Sequence, residues 1–186
     1  MTRRRQPLDK RLPDHSGGAR HQHMHRPASG KGWPTLARDA LISGSLASLL
    51  STLAISCCSR WQVGAASAGT NAISHWIWGD KAKHEDRVSL RHTAVGYAIH
   101  HASSVFWAVL FERATRRVRH TPAMAAAAMT TAAVAYLVDY HAVPYRLRPG
   151  FRSRLSPGAM FAAYTAFAVG LGVGGWMRTR RHRPAS

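Results

Sequence analysis

Residues 96–107 read GYAIHHASSVFW, a stretch with no formal charge, two adjacent histidines at its centre and aromatic residues towards its ends. How those histidines are accommodated decides the fold. At about 100° per residue on a helix, His100 and His101 occupy adjoining strips that meet Tyr97 on one side and Ser104 on the other. The polar strip extends through His92, Thr93, Gly96 and Ser103 to Trp107. It lies in an otherwise apolar segment, about 92–111, of the roughly 20 residues that a bilayer crossing requires. Lipid would leave these groups without partners, so a helix here must turn the strip inward against other helices.

Three further apolar segments complete a four-span reading. The first, about 40–59, carries Ala40, Gly44, Ser48, Thr52 and Ser56 at every fourth position, a small-residue stripe that admits a close neighbour. Leu46, Leu49, Leu50 and Leu53 occupy the opposite side. The segment at about 122–143 is rich in alanine and only weakly hydrophobic, which places it inside the bundle. The last, about 157–177, repeats Gly158, Ala162, Ala166, Gly170 and Gly174. Residues 62–79 read as a short interfacial or re-entrant helix, with Ile73, Trp76 and Ile77 on one face. The fold class expected is an all-α integral membrane protein: a four-transmembrane-helix bundle with a short interfacial helix.

Charge follows the same division. The formal net charge is +18 and the mean hydropathy −0.21, an average of polar tails and apolar spans. Basic residues flank the apolar segments instead of interleaving with exposed aromatics, so lipid bilayer, not nucleic acid, is the expected partner. Of the 26 Lys and Arg, 17 fall on the side of the two termini and nine in the two opposite loops. Both termini are therefore expected in the cytoplasm. The chain divides into a basic disordered tail at 1–38, a membrane domain at 39–178 and a basic tail at 179–186. The first tail carries HQHMH at 21–25, a loose metal-binding pattern. Cys57 and Cys58 are the only cysteines, too few for a disulfide framework or a zinc quartet. The basic loop 145–157, YRLRPGFRSRLSP, is expected to meet lipid phosphates or Asp80, Glu85 and Asp86, with an anion site as the sharper alternative.

The candidate polar cluster comprises His92, Tyr97, His100, His101, Ser104, Tyr136, Asp139 and His141. Counting rise from the helix ends puts His92, Tyr97, Tyr136 and Asp139 at matching depth, with His100 and His101 facing Thr130, Thr131 and Ala132. The leading reading is a hydrogen-bonded structural interior, and no cofactor is expected. Haem or metal ligation is the first alternative, since neutral imidazole is a common ligand, but no histidine at the depth of His100 occurs on another span. A homodimer facing two such helices would supply one. Zinc on Asp139, His92 and His141 would require the third helix to end before His141, which Pro144 allows. Proton-linked solute transport by a dimer is the second alternative. Enzymatic activity is not expected: Ser103 and Ser104 lie near histidines, but no Gly-x-Ser-x-Gly turn or zincin motif occurs.

The runs RHTAVGYAIHHASSVFWAVLFE at 91–112 and VDYHAVPYRLRPGF at 138–151 resemble segments of a group of small multi-pass bacterial inner-membrane proteins without an assigned function. The resemblance covers roughly residues 71–156 and is carried most specifically by His-His-x-Ser-Ser and Asp-Tyr-His-x-x-Pro. It implies a bacterial multi-pass membrane protein and supplies no catalytic residues.

Overall fold

The computed structural model describes residues 32–181, which contain no strand. Helix α1 runs from Gly32 to Val63, followed by two short helices, α2 at Ala68–Ile73 and α3 at His75–Trp78. Helix α4, Val95–Ala114, is entered through a π-helical turn at Leu90–Ala94. Helix α5, Thr121–Leu137, leaves through a π-helical turn at Val138–Ala142, and α6 occupies Pro157–Arg181. Counting those turns, four helices are long and apolar enough to cross a membrane.

Local signals explain the boundaries. Gly64 follows α1 with φ of 80°, a left-handed conformation that suits glycine and stops the helix. Ser89 caps the turn before α4 by accepting from the His92 amide. Pro122 sits in the first turn of α5, where its missing N–H has no intrahelical partner to lose.

The four long helices pack in the order α4, α1, α6, α5, with α4 touching α5 only lightly. Small residues set the close crossings. A Cβ on Gly44 would meet the backbone of Val105, one on Gly170 the backbone of Ala47, and one on Gly174 Ser43. These contacts fix α1 antiparallel to both α4 and α6. Two apolar clusters fill the interior, one around Phe111, Met124, Phe167 and Leu171 and the other around Ile55, Tyr140, Phe151 and Met160. Leu41, Leu49, Leu53, Phe106, Leu110, Leu137, Phe161 and Val169 point outward, so the long helices carry apolar side chains on the outside as well as within.

Several sequence expectations are corrected. Helix α1 begins at Gly32, taking residues 32–38 out of the expected tail; at about 1.5 Å per residue its 32 residues reach about 48 Å, well beyond an apolar core. The HQHMH motif and the rest of residues 1–31 lie outside the described residues, as do 182–186. Helix α6 continues past 177 and buries Arg178 in its last turn. Segment 62–79 is not one surface helix. All six residues of α2 are buried, and the chain re-forms as α3 after Ser74, so Ile73 is buried while Ile77 is exposed.

The alanine-rich α5 is not the inner helix. It lies at the edge against α6, and half of the most apolar window of α6 is buried against 22% of that of α5. Gly170 and Gly174 bring α6 closest to α1, and α4 and α5 flank that pair, each with 22% of its window buried. The four-residue stripes also drift, because each step of four advances about 400°. Gly44 and Ser48 are buried, but the α1 seam continues through Ser51, Ile55 and Ser59 instead of Thr52 and Ser56. On α6, Gly170 and Gly174 are buried, Ala162 and Ala166 are half-buried, and Gly158 is exposed.

Candidate functional site

The two histidines of the opening stretch face α1. His101 Nδ1 lies 2.8 Å from Ser48 Oγ, and His100 Nε2 lies 2.8 Å from Ser51 Oγ. Ser51 Oγ also donates to the Ala47 carbonyl at 2.7 Å, which commits its single proton. Ser51 must then accept, so His100 carries its proton on Nε2. Tyr97 stacks on His101 with ring centroids 5.8 Å apart, and Ser104 Oγ donates to the His100 carbonyl at 2.8 Å. The polar strip of α4 thus pairs with the serine seam of α1, not with Thr130, Thr131 and Ala132 of α5.

Asp139, in the π-helical turn that closes α5, accepts from Tyr164 of α6 at 2.7 Å. Tyr136, Tyr140 and Tyr164 gather around it with ring centroids 5.2–6.5 Å apart. A cavity of about 60 Å³ lies between this group and the histidine seam. Ser51, His100, Ser104, Asp139 and Tyr164 share its lining with apolar groups that include Trp107, Phe151 and Phe167. The volume and the polar atoms suit a few water molecules.

The expected meeting of His92, Tyr97, Tyr136 and Asp139 does not form. His92 Nδ1 faces Ser74 Oγ at 3.2 Å, Tyr97 stacks within α4, and Tyr136 and Asp139 turn to α6. His141 is exposed, with its ring against Tyr136, and lies outside the inward cluster. Among the described residues, no three His, Cys, Asp or Glu side chains converge as metal ligands. The arrangement of Asp139, His92 and His141 around zinc is therefore absent, because Asp139 points to α6 while His92 points to α2.

Sequence reasoning missed a second buried polar group, at the other end of the α1–α4 seam. Glu112 is buried; it accepts from Ser43, and its Oε2 lies 2.7 Å from Arg178 Nε, an ion pair without hydrogen-bond alignment. Arg178 also donates to the carbonyl and hydroxyl of Thr115 at 2.9 and 3.1 Å. Asp39 is buried nearby, paired to Arg38 at 3.1 Å and within 4.0 Å of Arg181. The acid at the end of an apolar segment was legible, but as a flanking charge. Its partner lies 66 positions on, beyond any helical spacing. Tyr164 and Ser51 were hidden for the same reason.

The loop end is ordered by Asn71, whose amide donates to the carbonyls of Glu85 and Arg87 at 2.9 Å and accepts from Thr93 Oγ1 at 2.7 Å. Arg154 pairs with Asp86, one of the acids expected to meet the basic loop. Burial pushes His75 below its ordinary value of 6.5, against the raising effect of the Ala72 carbonyl, so it stays neutral at pH 7. The Lys83 ammonium, 2.7 Å from Asp80, holds that carboxyl below its ordinary range.

No family model, curated protein or solved structure matches this chain. Its functional reading rests on the geometry of its own residues.

Proposed function

We propose that the chain is a non-enzymatic multi-pass membrane protein whose polar interior specifies how its helices pair. The apolar outer surface of the four long helices supports insertion in a bilayer. The observation that carries the interior role is the pairing of His100 with Ser51 and His101 with Ser48: successive interhelical contacts give both histidines neutral partners. Such bonds average only ~0.6 kcal/mol in membranes, so they favour one register and face over others without dominating stability. The basic count favours both termini in the cytoplasm, and the likeness of residues 71–156 to segments of bacterial inner-membrane proteins favours that membrane.

Reporter fusions after residue 186 and within loop 80–87 test the topology, and an outward C-terminus would overturn it. His100→Ala and His101→Ala test the interior role. Loss of stability with no change in absorption spectrum or metal content supports it. A stoichiometric chromophore or metal ion lost in either variant would establish the haem or metal alternative, which needs a second copy to supply the missing axial partner.

The cavity supports a second reading, a proton-linked path. His100 and the Asp139–Tyr164 pair line the same small volume from α4 and from α5 and α6. Ionisable groups inside a membrane are functional candidates. Proton flux into liposomes that falls in Asp139→Asn and His100→Gln supports this reading, and unchanged flux in both removes it.

A further inference from the structure

Two concave surfaces meet at Arg152. One is an apolar groove of about 550 Å³ between α5 and α6, running past Met129, Ala133 and Leu137 on α5 and Phe161 on α6. The other is a pocket of about 330 Å³ among the loops, lined by Lys83, Tyr145, Arg148, Arg152 and Ser153. Arg152 lines both, its guanidinium resting over the Tyr140 ring at 5.4 Å.

The charges in the loop pocket do not cancel. Lys83 is matched by Asp80 at 2.7 Å and donates to Tyr145 Oη at 3.2 Å. Among the described residues, neither Arg148 nor Arg152 forms an ion pair; the Arg148 side chain donates to the Val143 carbonyl at 3.4 Å. Of the two other acids expected near this loop, Asp86 is taken by Arg154 and Glu85 accepts from the Arg87 amide at 2.9 Å. Two arginines outside any ion pair therefore line the pocket where an apolar groove opens beside it.

From this juxtaposition we infer that the α5–α6 groove and the Arg148–Arg152 pocket together form a binding site for one anionic phospholipid. An acyl chain lies against Met129, Leu137 and Phe161, and the phosphodiester sits between Arg148 and Arg152. A guanidinium donates two parallel N–H bonds to phosphate oxygens, and a basic pocket beside an apolar helix groove matches the two halves of a lipid at its headgroup level. A lipid reaches this groove only if α5 and α6 face a bilayer, as proposed above.

Native mass spectrometry of the detergent-purified full chain tests the site, with phosphatidylglycerol and phosphatidylcholine of identical acyl chains as probes. The expected result is roughly tenfold stronger retention of phosphatidylglycerol, the scale of one charge-assisted contact. Arg152→Gln should abolish the preference. Ala133→Trp, at an exposed groove position, should displace the lipid while leaving the lipid-free melting temperature unchanged. Equal retention of both lipids, or undiminished phosphatidylglycerol binding in both variants, overturns the site. Glycerol 3-phosphate binding as tightly as the lipid would also overturn it, because the groove would then contribute nothing. Carbonate extraction separates the two levels: an integral chain without lipid preference refutes the site alone, and a chain released by carbonate refutes the membrane reading as well.

Discussion

The α1–α4 interface is polar in two places, and they are built differently. Near its middle, His101 and His100 each meet one serine. At the end formed by the start of α1 and the finish of α4, Glu112 is enclosed by Ser43 and Arg178. A neutral imidazole away from water needs only a hydrogen-bond partner, which a serine of the facing helix provides. A carboxylate needs a counter-charge as well, so α6 must deliver Arg178 to the same place. The middle thus joins two helices, whereas the end ties three.

The sharpest way to break that contrast is Glu112→Ala, which leaves Arg178 buried without a counter-charge. It should cost about 3–5 kcal/mol, read as a large fall in melting temperature in detergent. Replacing the pair together, Glu112→Gln with Arg178→Met, should cost less than the sum of the single changes. Additive losses would show that the two do not act as a pair.

Packing comes next. Gly170→Ala drives a Cβ into the Ala47 backbone and should cost about 1–3 kcal/mol, while Gly158→Ala on the same helix should stay within about 0.5 kcal/mol. Equal effects would mean that the close α1–α6 crossing is not tight.

For the neutral seam, a double-mutant cycle on Ser51→Ala and His100→Ala should give a coupling near 0.6 kcal/mol. A coupling several times larger would place His100 beyond a simple packing contact.

The smallest expected effect is one of pH, at His75. Its folded-state pKa is depressed, so its contribution is complete above the ordinary value of 6.5 and is lost as pH falls from there towards the folded value. Hydrogen exchange of α2 should accelerate over that window, and His75→Gln should flatten the response. Lys83 and Asp80 contribute the charges around it, and the Arg146 backbone acts on it as an uncharged hydrogen-bonding group. An unchanged profile in the variant would assign the dependence to another group, with Asp80 the neighbour that titrates in acid.

Much of this architecture was legible in the chain. The second and third spans were placed within about three residues of their observed limits, because twenty or so residues with almost no charge have few alternatives to a long helix. The inward turn of the His92–Trp107 strip followed from the cost of unpaired polar groups. The partners did not follow. Ser51, Tyr164 and Arg178 lie 49, 25 and 66 positions from His100, Asp139 and Glu112, and helical periodicity is silent beyond a few turns. The small-residue stripes were visible too, but a strict step of four rotates away from a straight seam. Ala40, Gly44 and Ser48 of the first stripe and Gly170 and Gly174 of the second are buried, while Thr52, Ser56, Ala162 and Ala166 are half-buried and Gly158 is exposed.

By itself, then, the sequence determined which segments are apolar helices, where charge is excluded and which residues need an interior. Only the tertiary structure decided that α6 and not α5 lies innermost, that α2 is buried, and which helix answers each polar group. The physical reason is range. Hydrophobicity and helical period are local and can be read over neighbouring residues. Pairing a buried donor or charge is a competition among all helices at once, settled by which backbones approach closely enough, as Gly170 and Gly174 allow here.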